Sequence, residues 1–234
     1  MLARLGLHAL ALMFLQGTVR AADIPLLIQQ AKPAIVEILT YDRQNKLLKT
    51  GTGFFVSPDG AVLTNFHVIS GGCSVMAKTP TGALYFLKSV VAESESDDVA
   101  KLQFLAADVS YLTLGSSLKA TEGELILVIG NPKGLEGTVS DGIISAFRSG
   151  RKMIQITAPI SPGPSGSPVL DDSGHVIGMA TQVMKEGQNL NFAISAEAIR
   201  DAISRSAPLV STPSKSLAPQ SSMAAYKKFG ARIG

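Results

Sequence analysis

A serine lies at the centre of a turn that is built mainly from glycine and proline. Residues 161–170 read Ser-Pro-Gly-Pro-Ser-Gly-Ser-Pro-Val-Leu, with Ser165 in the middle. Because glycine and proline at this density continue neither a helix nor a sheet ladder, they hold the backbone in a stiff turn. A serine hydroxyl held in this way can act as a nucleophile if a base and a pair of oxyanion donors lie nearby. Taken alone, such a segment is more often an ordinary surface loop.

The base for Ser165 must come from very few histidines. Beyond residue 21 the chain contains only His67 and His175. His175 follows an Asp-Asp-Ser-Gly turn, which is typical of an exposed, solvated imidazole. His67 lies where the apolar stretch 63–69 leaves a predicted strand and meets a Ser-Gly-Gly turn, and active-site residues favour such loop edges. His67 is therefore the predicted base, against the alternative of a half-buried histidine with structural contacts only.

The third group must be a carboxylate that orients the imidazole and stabilises its protonated form. Asp98 is the first candidate because it directly precedes an apolar strand, which would anchor it. Asp97 is the competing assignment, and Glu93 and Glu95 in the same polar loop are weaker ones. The residues thus predict a Ser-His-Asp constellation in which the acid is not yet fixed.

Short β-type runs separated by turn signals surround these residues. The first series covers 34–41, 52–56, 61–64, 74–78, 83–91 and 99–105, and the second covers 124–129, 137–147, 152–157, 168–170, 175–183 and 190–194. Many short strands at regular spacing indicate a barrel or a sandwich. The polar stretch 116–123 between the two series indicates two such units.

One predicted helix precedes the strands, and a second helix and a tail follow them. Residues 24–31 are predicted to form a short amphipathic helix that Pro33 stops, and residues 195–204 a helix with Ser195 as its N-cap. Residues 207–234 are rich in proline and serine and contain four basic residues but no acidic one. This composition predicts a flexible basic tail.

The composition indicates an exported globular protein that is held together by packing. Residues 1–21 combine Arg4, an apolar run at 5–15 and a small-residue site ending at Ala21, which is the pattern of a cleaved signal peptide. Without them 19 basic residues face 18 acidic ones, so the net charge is about +1 and nucleic-acid binding is disfavoured. The single Cys73 excludes an intramolecular disulfide and is expected to be a half-buried structural thiol.

Five segments carry a resemblance to a known family. They are Gly-Thr-Gly-Phe-Phe-Val at 51–56, Thr-Asn-Phe-His-Val at 64–68, Asp-Val-Ala-Lys-Leu at 98–102, Ile-Gly-Asn-Pro-Lys-Gly at 129–134 and Gly-Pro-Ser-Gly-Ser-Pro at 163–168. In this order they resemble the trypsin-like serine proteases, specifically the HtrA/Deg branch. The resemblance implies an all-β fold of two six-stranded antiparallel barrels of the chymotrypsin type, at about 33–115 and 120–195. It also favours Asp98 over Asp97, because the family's Asp immediately precedes an aliphatic-Ala pair.

The resemblance further implies roles for residues near the nucleophile. The backbone NH groups of Gly163 and Ser165 would form the oxyanion hole, and Pro164, which lacks an NH, lies between these donors. The residues expected to line the specificity pocket are Pro159, Ile160, Ser161, Ala180 and Thr181. Since none of them is acidic, a small aliphatic side chain is the expected guest.

The function predicted from these residues and the resemblance is a serine endopeptidase that cleaves polypeptides with a triad of His67, Asp98 and Ser165. It would act in the periplasm or as a secreted protein, in protein quality control or processing, and would need no metal or organic cofactor. The resemblance implies a homo-oligomer formed through residues 24–31, and the PDZ domain that many relatives carry is not expected within residues 207–234. No nucleic-acid partner and no stable membrane insertion after signal removal are expected.

A second function is kept open by two departures from the family pattern. Pro164 and Ser167 stand where the family usually has Asn and Gly. They motivate the alternative of a catalytically silent, protease-like module that binds unfolded or hydrophobic polypeptides.

Overall fold

The strands of the computed structural model close into two antiparallel barrels of six strands each. The structure describes residues 23–130, 138–160, 165–181 and 190–206. A helix precedes the first barrel and another follows the second. The predicted all-β fold of two six-stranded barrels with a helix at each end is therefore confirmed. The predicted signal peptide and basic tail lie outside the described residues.

Barrel one follows a short helix, α1 (Ile24–Ala31), and holds the first six strands in the order β1-β2-β3-β6-β5-β4. Its interior follows the two-residue period of a strand, so that Val36 and Ile38 from one strand meet Leu102 and Phe104 from another. The strands are β1 (Ile35–Tyr41), β2 (Leu47–Phe55), β3 (Ala61–Thr64), β4 (Ser74–Lys78), β5 (Leu84–Ser94) and β6 (Val99–Phe104).

Barrel two has the same architecture, with the strand order β10-β11-β12-β9-β8-β7. Its interior is filled by branched aliphatic side chains such as Ile126, Ile144 and Ile154. The strands are β7 (Leu125–Gly130), β8 (Thr138–Arg148), β9 (Met153–Ile156), β10 (Pro168–Leu170), β11 (Val176–Thr181) and β12 (Asn191–Ser195).

A third apolar cluster fills the space between the barrels. It joins side chains of both barrels to the inner face of a C-terminal helix (Ala196–Arg205), which is α3 in the order of the chain. Its buried members include Ile35, Phe54, Leu63 and Val99 of barrel one, Leu127, Leu170 and Met179 of barrel two, and Ala198, Ile199 and Ala202 of α3. This shared core fixes the two barrels against each other.

Polar contacts fasten α3 to the segment that connects the barrels. Ser195 caps the helix by accepting a hydrogen bond from the Ala198 NH at 3.2 Å, as predicted. Glu197 accepts hydrogen bonds from the Ser116 hydroxyl at 2.6 Å and from the Ser117 NH at 3.0 Å. Burial raises the pKa of Glu197, but the hydrogen bonds from the Ser116 and Ser117 hydroxyls and from backbone NH groups outweigh burial and leave the pKa below its ordinary value.

Two local features differ from the sequence predictions. A one-turn helix, α2 (Phe66–Ile69), follows β3 in a stretch for which the sequence predicted no helix. Four residues are too few to show a helical period, but Val68 and Ile69 bury their side chains in barrel one and hold this turn of helix in place. Cys73 is exposed, so the prediction of a half-buried thiol is wrong.

None of the helices in the part of the chain that the structure describes has the length and apolar character needed to cross a membrane.

The shared core predicts a large stability cost for truncating α3. Ile199 is fully buried in it, so Ile199→Ala should lower the free energy of unfolding by about 2–5 kcal/mol. The matched control, Asp201→Ala, alters an exposed position of the same helix and should change the free energy of unfolding by less than about 0.5 kcal/mol. Urea unfolding measures both, and an equal effect of the two variants would contradict this role of the shared core.

Candidate active site

His67 is presented to solvent by the one-turn helix α2. The helix buries Val68 and Ile69, and this leaves the His67 side chain 45% exposed on the opposite side. The backbone NH of His67 donates to Asp98 Oδ1 at 3.0 Å, and Nδ1 lies 2.9 Å from both carboxylate oxygens. Two separate groups of one residue therefore bind the same carboxylate, and they fix both the position and the ring orientation of His67.

Asp98 occupies a left-handed backbone conformation at the turn that leads into β6. Its φ is 55°, which aspartate tolerates better than most residues. Its backbone carbonyl accepts a hydrogen bond from Asn65 Nδ2 at 3.0 Å. The residue that precedes α2 thus binds the main chain of Asp98, while the side chain of Asp98 binds His67.

Asp97, the competing candidate, points elsewhere. It accepts hydrogen bonds from the Ser94 hydroxyl at 2.6 Å and from Arg205 at 3.0 Å. The Ser94 hydrogen bond, with the charge of Arg205, holds the pKa of Asp97 below its ordinary value. Of the two neighbouring carboxylates, only Asp98 contacts His67 among the described residues.

Thr181 has a role that the sequence did not reveal. It was expected to line the specificity pocket, but it is buried and its hydroxyl donates to Asp98 Oδ2 at 2.8 Å. The two residues are 83 positions apart and belong to different barrels. No local pattern signals such a contact, because a threonine at a strand end is common for reasons of β propensity alone.

The environment of Asp98 favours its ionised form. Burial raises the pKa of the carboxyl, but the hydrogen bonds from His67 and Thr181 and the charge of His67 outweigh burial. The pKa therefore lies below its ordinary value. A carboxylate that stays ionised can hold one imidazole tautomer and stabilise the imidazolium that forms during proton transfer.

Ser165 is held against barrel one by its backbone. Its carbonyl accepts a hydrogen bond from the Thr52 NH at 2.9 Å, and its side chain is buried. A β-carbon built on Gly51 would lie 2.6 Å from Val68 and 3.3 Å from the Ser165 carbonyl oxygen. Gly51 of β2 therefore lies between α2 and the backbone of Ser165. Within the described residues the Ser165 hydroxyl makes no hydrogen bond to His67. In unliganded enzymes the hydrogen bond between nucleophile and base is often long or poorly aligned.

The turn after Ser165 requires glycine at one position. Gly166 has a φ of +91°, and an added β-carbon would lie 2.0 Å from the Thr52 carbonyl oxygen. Its NH donates to the Ala180 carbonyl of β11 at 2.9 Å. Ser167 has no left-handed backbone, so its β-carbon is not strained, and its buried hydroxyl lacks a partner in the described part of the chain.

The remaining predicted site residues are divided between described and undescribed segments. Pro159 is exposed, Ile160 is half-buried, and Ala180 packs in the core of barrel two. His175 is exposed and lies 3.8 Å from Asp171, as expected for a turn histidine. Ser161, Gly163 and Pro164 lie outside the described residues. The structure thus brings together His67, Asp98 and Thr181 and places Ser165 on the other side of Gly51 of β2 from α2.

This arrangement coincides with a known family. The family described as the trypsin-like peptidase domain matches residues 51–179, which contain His67, Asp98 and Ser165. The chain belongs to this family. It is 39% identical over 155 residues to the putative serine protease HhoB of Synechocystis sp.. This match covers 62% of the chain and 37% of the relative. The chain is 34% identical over 171 residues to a probable periplasmic serine endoprotease DegP-like of Pseudomonas savastanoi, at 68% and 35% coverage.

A solved structure agrees with these sequence relatives. An HtrA-type protease, AlgW, in a Ser-to-Ala variant form with a tripeptide, superposes with a TM-score of 0.69 at 28% identity. The match covers 76% of this chain and 61% of that chain. The predicted resemblance to the HtrA/Deg branch of trypsin-like proteases is therefore confirmed. The chain spans just over a third of the length of the two sequence relatives.

The depressed pKa of Asp98 predicts how stability responds to acid. The ionised Asp98 carboxylate contributes to the free energy of unfolding above the unfolded pKa of about 3.9. This contribution is lost as the pH falls through the lower folded pKa. Asp98→Asn has no carboxyl to titrate at this site. The wild type should therefore exceed the variant in unfolding free energy at pH 6, on the order of 1 kcal/mol, and this excess should shrink below about pH 4. Urea unfolding across pH measures it, and an excess that does not change with pH would contradict the assignment.

Proposed function

We propose that the chain is a serine endopeptidase that hydrolyses polypeptides. The observation that carries the proposal is the contact of one carboxylate, Asp98, with both the backbone NH and Nδ1 of His67 at 2.9–3.0 Å. Family membership and the position of Ser165 beside β2 support it. Because the Asp98 contacts occupy Nδ1, they leave Nε2 of the imidazole for the nucleophile.

The proposed chemistry follows from these roles. Nε2 of His67 takes the proton of the Ser165 hydroxyl as its oxygen attacks the scissile carbonyl carbon, and Asp98 stabilises the imidazolium that results. The imidazolium then protonates the leaving amine, which gives an acyl-enzyme. A water molecule attacks the acyl group with His67 again as base, releases the acid product and regenerates Ser165. The NH groups of Gly163 and Ser165 are the proposed oxyanion donors.

We place this activity in an exported compartment. The sequence of residues 1–21 has the pattern of a signal peptide, and several relatives are named periplasmic endoproteases. Substrates that are unfolded or in need of processing fit a peptidase of that compartment. A homo-oligomer through α1 is consistent with the exposure of Ile24 and Leu26, at 40% and 47%.

Replacing the nucleophile should abolish turnover and leave the fold unchanged. Ser165→Ala should lower the hydrolysis of an unfolded polypeptide by at least about 10³-fold, because the other catalytic groups cannot supply the covalent step. Ser173→Ala, at an exposed turn serine, is the matched control and should keep full activity. Circular dichroism checks the fold of both variants. Substantial turnover by Ser165→Ala would refute the assignment.

A serine-directed phosphonate separates the proposal from a catalytically silent module. The buried hydroxyl of Ser167, which has no hydrogen-bond partner among the described residues, is the structural observation that keeps the alternative open. Covalent labelling at Ser165 requires an activated nucleophile, whereas a silent module would bind unfolded polypeptide without reacting with the probe.

Cleavage should follow small aliphatic residues. Of the residues proposed to line the pocket, Pro159, Ile160 and Ala180 are apolar, and Thr181 directs its hydroxyl to Asp98. None of these four residues offers a counter-charge to a buried lysine or arginine side chain, which makes such a side chain the costlier guest. A peptide library should show cleavage after Val, Ile, Ala or Leu, with Lys and Arg at least about tenfold poorer. A preference for Lys or Arg would overturn this specificity.

A further inference from the structure

The one-turn helix α2 has more carbonyl groups than it can satisfy by itself. In a helix of four residues nearly every carbonyl belongs to the last turn and lacks an intrahelical partner. The carbonyls of Phe66 and Ile69 bind the NH groups of Ser70 and Gly72 at 3.0 and 3.1 Å. The Val68 carbonyl depends on a side chain from elsewhere in barrel one, and the His67 carbonyl accepts from another such side chain and from the Ser70 hydroxyl at 3.3 Å.

Two cross-strand neighbours supply these side chains. Thr40 of β1 and Lys49 of β2 are register partners. The buried Thr40 hydroxyl donates to the Val68 carbonyl at 2.9 Å. The Lys49 ammonium donates to the carbonyl of His67 at 2.9 Å and to the carbonyl and hydroxyl of Ser70 at 2.8 and 2.7 Å. We call Thr40 and Lys49 the α2 clamp.

Lys49 uses all the donors that it has. An ammonium carries three N–H groups, and here three acceptors surround it at 2.7–2.9 Å. Hydrogen bonds from an ionised donor are about twice as strong as neutral ones, and a cation is favoured at the carbonyl end of a helix. Such an arrangement is unusual for a surface lysine, whose flexible stem normally leaves the charge in water.

We propose that Lys49 is a positioning residue for His67, an inference that rests on the proposed function. The ammonium fastens the carbonyl end of α2, and Asp98 fastens the NH and the ring of His67 at its other side. The imidazole is thereby held between two fixed points. Lys49 contacts neither the proposed nucleophile nor the reacting atoms, so it acts only through the placement of His67.

The test compares three variants of the full chain. Lys49→Met removes the charge and all three hydrogen bonds but keeps the unbranched stem, whereas Lys49→Arg restores a cation with several donors. Lys46→Met, on the same hairpin, removes an exposed lysine whose side chain makes no hydrogen bond or ion pair among the described residues. If circular dichroism shows that Lys49→Met does not fold, Lys49→Gln replaces it with the same expectations.

Steady-state kinetics on one peptide substrate gives the first readout. Lys49→Met should lower kcat by about tenfold with KM within about twofold, because misplacing a catalytic group slows the chemical step and leaves binding intact. Lys49→Arg should recover most of this loss, and Lys46→Met should match the wild type. Wild-type kcat in Lys49→Met, or a loss in Lys49→Arg as large as in Lys49→Met, would overturn the inference.

Proton NMR gives a second readout that does not require activity. The proton shared by Nδ1 of His67 and Asp98 should give a low-field resonance in the wild type, in Lys49→Arg and in Lys46→Met. In Lys49→Met it should broaden or disappear, because a looser α2 lets the proton exchange with water. An unchanged resonance in Lys49→Met would overturn the inference. If the wild type hydrolyses nothing, the proposed function fails, and this resonance alone still decides the role of Lys49.

Discussion

The carboxylate of Asp98 accepts hydrogen bonds from both barrels. The backbone NH and the imidazole of His67 reach it from barrel one, and the hydroxyl of Thr181 reaches it from barrel two. These bonds lower its pKa against the opposing effect of burial. A single half-buried charge thus couples the placement of His67 to the docking of the barrels, and the shared core around α3 keeps that docking fixed.

The elements around this carboxylate show how a precise site is built from short pieces. The left-handed backbone of Asp98, the four-residue helix α2 and the turn at Gly166 are each weak on their own. Each is held by contacts from other elements, such as Asn65 to the main chain of Asp98 and Lys49 to the end of α2. Backbone conformations of this kind persist only where the surrounding structure determines them.

The sequence predicted the strands and the terminal helices well, because strand periodicity and capping are local signals. It also named His67 and Asp98, whose side chains lie 2.9 Å apart in the structure. It did not predict α2, the exposure of Cys73, the contact of Thr181 with Asp98 or the contacts of Lys49. These depend on residues brought together from as far as 83 positions apart. Burial and side-chain direction at such positions follow from the closed barrels, and no short window of sequence contains them.

The most direct test is mass spectrometry of the intact protein during turnover of an activated ester of a small aliphatic acyl group. If His67 and Asp98 activate Ser165, a stoichiometric acyl adduct should accumulate, peptide mapping should place it on Ser165, and His67→Ala should form it far more slowly. An adduct elsewhere, or equal acylation rates with and without the imidazole, would contradict the claim that His67 and Asp98 activate this serine.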